Sequence, residues 1–274
     1  LSLAAHPCSR RRGLLSASVA AALLAGCATT PKPTHAPPFA RVPYDPFSRD
    51  AAIAIATREW KLFGAPVDDD PPGTRPDPPP DQKPERMEGL WQRVGEYWYT
   101  AMDPGTVESR WTGKHDATGA VFPADRDGDF AWSAAFISYV MRIAAAGDRF
   151  PYSPNHSTYI DVARQMSQGQ VSGYDLTAER VDAYAPQPGD LICLGRGTAA
   201  SIRYEDLPAG TFPAHCDIVV AKSDGVLTVI GGNVDDAVTM KHVPVGADGR
   251  LAGPDGVLDT RYPWFVVLRM LYAR

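Results

Sequence analysis

Apolar positions recur at two periods along this chain, helical in the first half and alternating in the second. Ala51, Ile53, Ala54, Ile55, Trp60 and Leu62 predict an amphipathic helix over Ser48–Phe63. Leu90, Trp91, Val94, Tyr97 and Trp98 predict another over Arg86–Met102, its aromatic stripe read as core rather than as a ligand platform. Phe130–Ala146 is an apolar helix of small and large residues with Gly147 as its C-cap, and Ser157–Ser167 is a shorter one. Strands follow. Gly189-Asp190 leads Leu191–Leu194, and His215–Ala221 alternates up to the turn Ser223-Asp224-Gly225. Val226–Ile230 returns as its hairpin partner, with Val238–Val243 and Trp264–Leu271 as further strands. Helices first and an antiparallel meander afterwards is an α+β order, not a parallel βαβ series.

Proline divides the chain. Fourteen of its 26 prolines lie between Pro31 and Pro84, which predicts a semi-rigid spacer interrupted by one short helix. The expected organisation is an address over residues 1–27, a tether over 28–84 and an α+β domain over 85–274. Arg10, Arg11 and Arg12 precede an uncharged apolar run from Gly13 to Ala25, too short to span a bilayer but flanked like a secretory signal. Leu24-Ala25-Gly26-Cys27 resembles the lipobox of bacterial lipoproteins, which implies lipidation at Cys27 and an exported protein held to the membrane by its lipid alone. Ala28 stands where Asp would retain such a protein in the inner membrane, so resemblance to enterobacterial lipoproteins implies the outer membrane.

Composition is that of a globular protein, with 44% apolar and 22% charged residues in 274. The net charge is −5 and becomes −8 once three arginines leave with residues 1–27, so no basic footprint for nucleic acid exists. Export leaves Cys193 and Cys216, which either pair in an oxidising compartment or sit as two small buried hydrophobes.

Three segments carry the candidate chemistry. They are Ala131-Trp132-Ser133-Ala134-Ala135-Phe136, then Pro188-Gly189-Asp190 followed by His215-Cys216-Asp217-Ile218, then Gly231-Gly232-Asn233. In these the chain resembles the papain-like cell-wall amidases of the NlpC and CHAP types, and more closely the uncharacterised bacterial domain-of-unknown-function family 2272. The resemblance implies a papain-like α+β fold with a helix packed on an antiparallel sheet. It implies Ser133 at the nucleophile position, His215 as base and Asn233 orienting the imidazole. Trp132, His156 and Tyr152 are expected to meet substrate, with Tyr159 near them, and Asp217 to be either a substrate contact or a tuner of the site's pKa values. The substrate class implied is a wall peptide of peptidoglycan, cut at an amide or peptide bond, with no cofactor and no metal.

The departure from that superfamily is the nucleophile, which is Cys there and Ser here. A thiol at a helix N-terminus ionises with help from the dipole and a histidine. A serine hydroxyl titrates too high for that and needs its proton removed during attack. Two readings therefore stay open at this point. One is a serine enzyme using Ser133, His215 and Asn233, a hydrolase of wall amides or an esterase or transferase of a small acyl group. The other is an inactive descendant that binds wall peptides or an envelope protein, with Ser133 merely capping its helix. Asp125-Arg126-Asp127-Gly128-Asp129 resembles a calcium loop but lacks the glutamate that would complete it, so it is expected to charge the start of the Ser133 helix. Gly195-Arg196-Gly197 lacks the lysine and helix of a phosphate loop.

Overall fold

The computed structural model describes residues 46–273, so the signal segment and Cys27 lie outside the described residues. Four α-helices precede the strands: α1 Arg49–Leu62, α2 Leu90–Ala101, α3 Ser133–Ile143 and α4 His156–Ser167. The strands are β1 Leu176–Glu179, β2 Leu191–Gly195, β3 Ala214–Ser223, β4 Val226–Val234, β5 Ala237–Pro244, β6 Ala252–Gly253, β7 Gly256–Val257 and β8 Trp264–Met270. Six of them form one antiparallel sheet in the order β1-β8-β2-β3-β4-β5, and β6 with β7 makes a small ribbon. The fold is α+β. None of the described helices is long and apolar enough to cross a membrane.

α3 lies in the helical core. Every residue from Ser133 to Met141 is buried, because α1 and α2 pack on one side of it and β3 and β4 on the other. A helix apolar all round can only be stable when covered all round. The sheet is buried on both faces. Leu191, Cys193, Cys216, Ile218, Ile230, Val266 and Leu268 join the helical core, while Ile192, Leu194, Val219, Val229, Val243 and Val267 form a second core on the opposite face. Cys193 and Cys216 are directly paired across β2 and β3, and their sulfurs are joined in a disulfide.

One expected boundary is corrected. The helix inside the proline-rich stretch is not a rod within a tether, because α1 belongs to the domain. Phe47, Ala52 and Ala56 have no exposed surface and sit in the helical core. Ser48 caps α1, its Oγ accepting from the Ala51 N–H at 3.2 Å. At its far end buried Glu59 accepts two bonds from Arg93 at 2.6 Å each and one from the Tyr97 hydroxyl at 2.8 Å, which ties α1 to α2. Proline density marks the flanks of α1, but the apolar face between them finds the core.

Candidate functional site

The site begins at the first turn of α3. Trp132 occupies the N-cap position of the helix with no side-chain cap, and Ser133 is the first helical residue. The Ser133 hydroxyl is therefore not spent on capping. It lies 2.7 Å from Nε2 of His156, and both residues line a cleft of about 1080 Å³. Trp132 is only 1% exposed and its indole N–H donates to Glu85 Oε2 at 2.6 Å. It anchors the helix start and does not line the cleft, which corrects its expected contact with substrate.

His156 is the first residue of α4, preceded by Asn155 at the N-cap. Its Nδ1 bonds the hydroxyl of Tyr159, three residues on and thus on the same helical face. Burial drives the His156 pKa well below the usual histidine range, with the neighbouring His215 acting in the same direction. The imidazole at Ser133 is thus neutral at pH 7, with one nitrogen on the serine and the other on a buried phenol.

β3 supplies a second imidazole. Alternation puts His215 and Asp217 on one face of the strand and Cys216 on the other. His215 Nε2 lies 2.8 Å from Asp217 Oδ1, and Asp217 Oδ2 lies 2.7 Å from Lys241 Nζ on β5. Burial disfavours the Asp217 carboxylate, but Lys241 and His215 outweigh it and hold the carboxyl below its usual range. Burial also lowers the His215 pKa, so this ring is neutral as well and gives its Nε2 hydrogen to the acid. Its Nδ1 is buried without a hydrogen-bond partner. The His215 and His156 rings meet edge to face, 5.4 Å between centroids.

Two expected contacts differ. The imidazole in hydrogen-bond contact with Ser133 is His156, not His215, because α4 delivers its first residue to the helix start. The group that orients His215 is Asp217, two residues along the same strand, and not Asn233. Gly231 on β4 makes room for that pair, since a Cβ there would stand 1.9 Å from Asp217 Oδ1 and 2.9 Å from His215 Nε2. Gly232 does the same on the other side, where a Cβ would strike Phe136 at 2.5 Å. Asn233 lines the cleft with φ +54°, in the irregular stretch where β4 breaks register with β5, a conformation asparagine tolerates better than most residues. Tyr152 is also displaced from its expected place. Its hydroxyl donates to the Gly147 carbonyl at 2.8 Å and the Arg142 guanidinium covers its ring at 3.8 Å, away from the cleft lining.

The acidic segment before α3 is a short 3-10 stretch, Ala124–Phe130. Asp127 in it does not serve the helix start as expected but pairs with Lys83 at 2.8 Å and Arg86 at 2.5 Å. Carboxylate oxygens of Glu85, Asp127 and Asp236 come within 4.8 Å of one another. A cation there would compete with Lys83, which already bridges Asp127 and Asp236. Burial, with Asp236 and Asp127 nearby, pushes the Glu85 pKa up to about 8, so that carboxyl is protonated at neutral pH.

Residues 85–270 match a family described as an uncharacterized protein conserved in bacteria, DUF2272. The chain belongs to that family. The matched span of this DUF2272 member opens at Glu85, the partner of Trp132, and closes at Met270, the end of β8. It therefore contains Ser133, His156, His215, Asp217 and Lys241 and leaves out α1. No curated protein and no solved structure matches this chain.

The residues that sequence reasoning underweighted are His156 as the serine's partner, Tyr159 behind it, Glu85 and Lys241. The signal for the first pair was available, because Asn155-His156 followed by Tyr159 is a helix start with two polar rings on one face. Lys241 gives no such signal, because an isolated lysine in a strand looks exposed until the sheet is assembled.

Proposed function

We propose that this protein is a serine-type hydrolase of amide or peptide bonds in bacterial wall peptides, with a papain-like arrangement of helix and sheet. The reading is carried by one observation, the 2.7 Å contact between the Ser133 hydroxyl and an imidazole nitrogen on the wall of an open cleft. A base must first be within reach of the proton it takes, and His156 is. The order of Ser133 at a helix start, Pro188-Gly189-Asp190 before a strand, and His215 opening the next supports the papain-like resemblance.

In this mechanism Ser133 Oγ adds to the substrate carbonyl carbon while its proton passes to His156 Nε2. For that transfer His156 Nδ1 carries its hydrogen toward the Tyr159 oxygen, leaving Nε2 open as acceptor. Burial opposes the imidazolium that forms, and the nearby Asp217 carboxylate favours it. His215 and Lys241 hold that carboxylate in place. The N–H groups of the first α3 turn have no helical partner and receive the oxyanion, a contribution of a few kcal/mol. His156 then protonates the leaving amine, and water releases the acyl group from Ser133. Lipidation at Cys27 and an outer-membrane, periplasm-facing location remain part of this proposal and would place the domain within reach of the wall.

A fluorophosphonate probe with mass-spectrometric site mapping tests the nucleophile. Wild type is expected to carry the adduct on Ser133, and Ser133→Ala to carry none. Release of soluble muropeptides from purified wall is expected from wild type and absent from Ser133→Ala. Wild type that takes no label and releases nothing, while binding wall as well as Ser133→Ala does, makes the protein a binding module.

A further inference from the structure

The Gly195-Arg196-Gly197 run has no part in the chemistry above, yet it sets Arg196 on the wall of the same cleft that Ser133 and His156 line. We propose that Arg196 is the anchor for the terminal carboxylate of a peptide substrate, fixing which end of the peptide enters the cleft. This deepens the hydrolase reading and rests on it for the substrate class.

Among the described residues, three cations line the cleft, Arg75, Lys83 and Arg196. Two are already spent. Arg75 pairs with Asp70 at 2.8 Å and Asp68 at 3.1 Å, and Lys83 with Asp127 at 2.8 Å and Asp236 at 3.2 Å. The Arg196 side chain is exposed and makes no ion pair or hydrogen bond among the described residues. A guanidinium is a planar fork that matches a carboxylate in two bonds, so an unpaired one beside a nucleophile suits a substrate anion.

Its backbone is fixed. The Arg196 N–H donates to the Pro213 carbonyl at 2.9 Å, and its own carbonyl accepts from the Ala199 N–H at 2.9 Å. Both flanking glycines are required by this turn. A Cβ on Gly195 would lie 2.0 Å from the Ala199 oxygen, and Gly197 has φ +50°. The backbone pedestal is fixed, so a ligand has only the side chain left to order.

The rest of the wall argues for the same polarity. Asp77, Glu108, Asp125 and Asp129 also line the cleft, so an anion is repelled from most of it and directed to one place. The positive charge of Arg196 disfavours protonation of both His156 and His215. A carboxylate docked on it would offset that charge and ease proton transfer from Ser133.

The test uses full-length Ser133→Ala, which binds without turnover, and two probes. These are a wall stem tetrapeptide with a free terminal carboxylate and the same peptide amidated at that terminus, titrated by calorimetry. Amidation is expected to weaken binding about 10–100-fold, the range for a hydrogen bond to a charged group. Adding Arg196→Gln is expected to bring the free-acid peptide to the affinity of the amide. Arg196→Lys is expected to recover part of the preference, since it keeps the charge and loses the fork. Thermal melts confirm that the exposed substitution leaves the fold intact. A preference for the free acid that persists in Arg196→Gln overturns the proposal, as does failure of both peptides to bind. Loss of the preference in Arg196→Gln alongside a wild type that never labels or cuts would sink the hydrolase reading and leave the carboxylate anchor standing.

Discussion

Two buried polar networks flank α3, and they are finished to different degrees. Around Glu59 everything is matched. Arg93, Arg58 and the Tyr97 hydroxyl all bond its carboxylate, and Arg93 also reaches the Tyr139 hydroxyl. Burial pushes the Glu59 pKa up, and these three partners together bring it below its usual range. Around Ser133 the accounts are open. His215 Nδ1 is buried without a partner, two imidazoles are held neutral, and the hydroxyl faces a cleft instead of capping its helix. A saturated network locks helices together, whereas an unsaturated one holds capacity to accept a proton. The contrast separates a saturated ion cluster from an unsaturated one without reference to any relative.

The largest expected effect comes from breaking the saturated side. Glu59→Ala removes the only carboxylate among the hydrogen-bond partners of Arg93 that is itself buried, and leaves that guanidinium mostly enclosed at 16% exposure. The cost of leaving one half of a buried ion pair is about 3–5 kcal/mol. Urea denaturation should show a large drop in the transition midpoint. A loss under about 1 kcal/mol would mean the cluster is decoration, and the comparison would fail at its structural end.

The next effect is set by Glu85, the buried acid that anchors Trp132 and through it the start of α3. Its folded pKa, about 8, lies above the ordinary 4.5, so the folded state keeps a proton that the unfolded chain releases. Stability from this group is complete below pH 4.5 and is lost as pH rises toward 8. His156 and His215 act oppositely. Their folded pKa values are depressed, so their contribution is present above about pH 6.5 and is lost as pH falls below it. Between pH 6.5 and 8 the Glu85 term stands largely alone and amounts to about 2 kcal/mol. Wild type should therefore lose stability across that window, and Glu85→Gln should flatten the slope while its amide still accepts from Trp132. An unchanged slope in Glu85→Gln would show that Glu85 is ionised in the folded protein.

What the sequence discloses follows the same division between local and assembled. α2, α4 and strands β3 to β5 are legible by their period, and α3, β2 and β8 as apolar runs. β1, four residues long, and the two-residue β6 and β7 are too short to show either. The packing of α1 is hidden by the prolines around it, because composition reports the flanks and not the buried face of Ala52 and Ala56. Ser133 is legible as a hydroxyl at a helix start, and the shared face of His215 and Asp217 follows from strand alternation alone. The contact between Ser133 and His156 is not legible. Both residues open helices, and whether two helix starts meet is decided by how α3 and α4 pack, which neither segment encodes by itself.

The smallest effect is the sharpest test, because it compares two serines at helix starts. Ser48 caps α1 through its Oγ, and Ser48→Ala should cost about 1 kcal/mol, the usual value of a lost N-cap. Ser133 sits one position further into its helix and gives its Oγ to His156, so it contributes nothing to capping. Ser133→Ala leaves His156 Nε2 on a cleft wall where water can replace the hydroxyl, and its stability cost should fall below that of Ser48→Ala. Paired unfolding curves of the two variants decide the matter. If Ser133→Ala is the more destabilising, the hydroxyl is a structural fixture and the open network around it is only imperfectly packed. If it is nearly neutral, then a buried polar group is being kept at a helix start for something other than stability, and the one chemistry within 2.7 Å of it is that of His156.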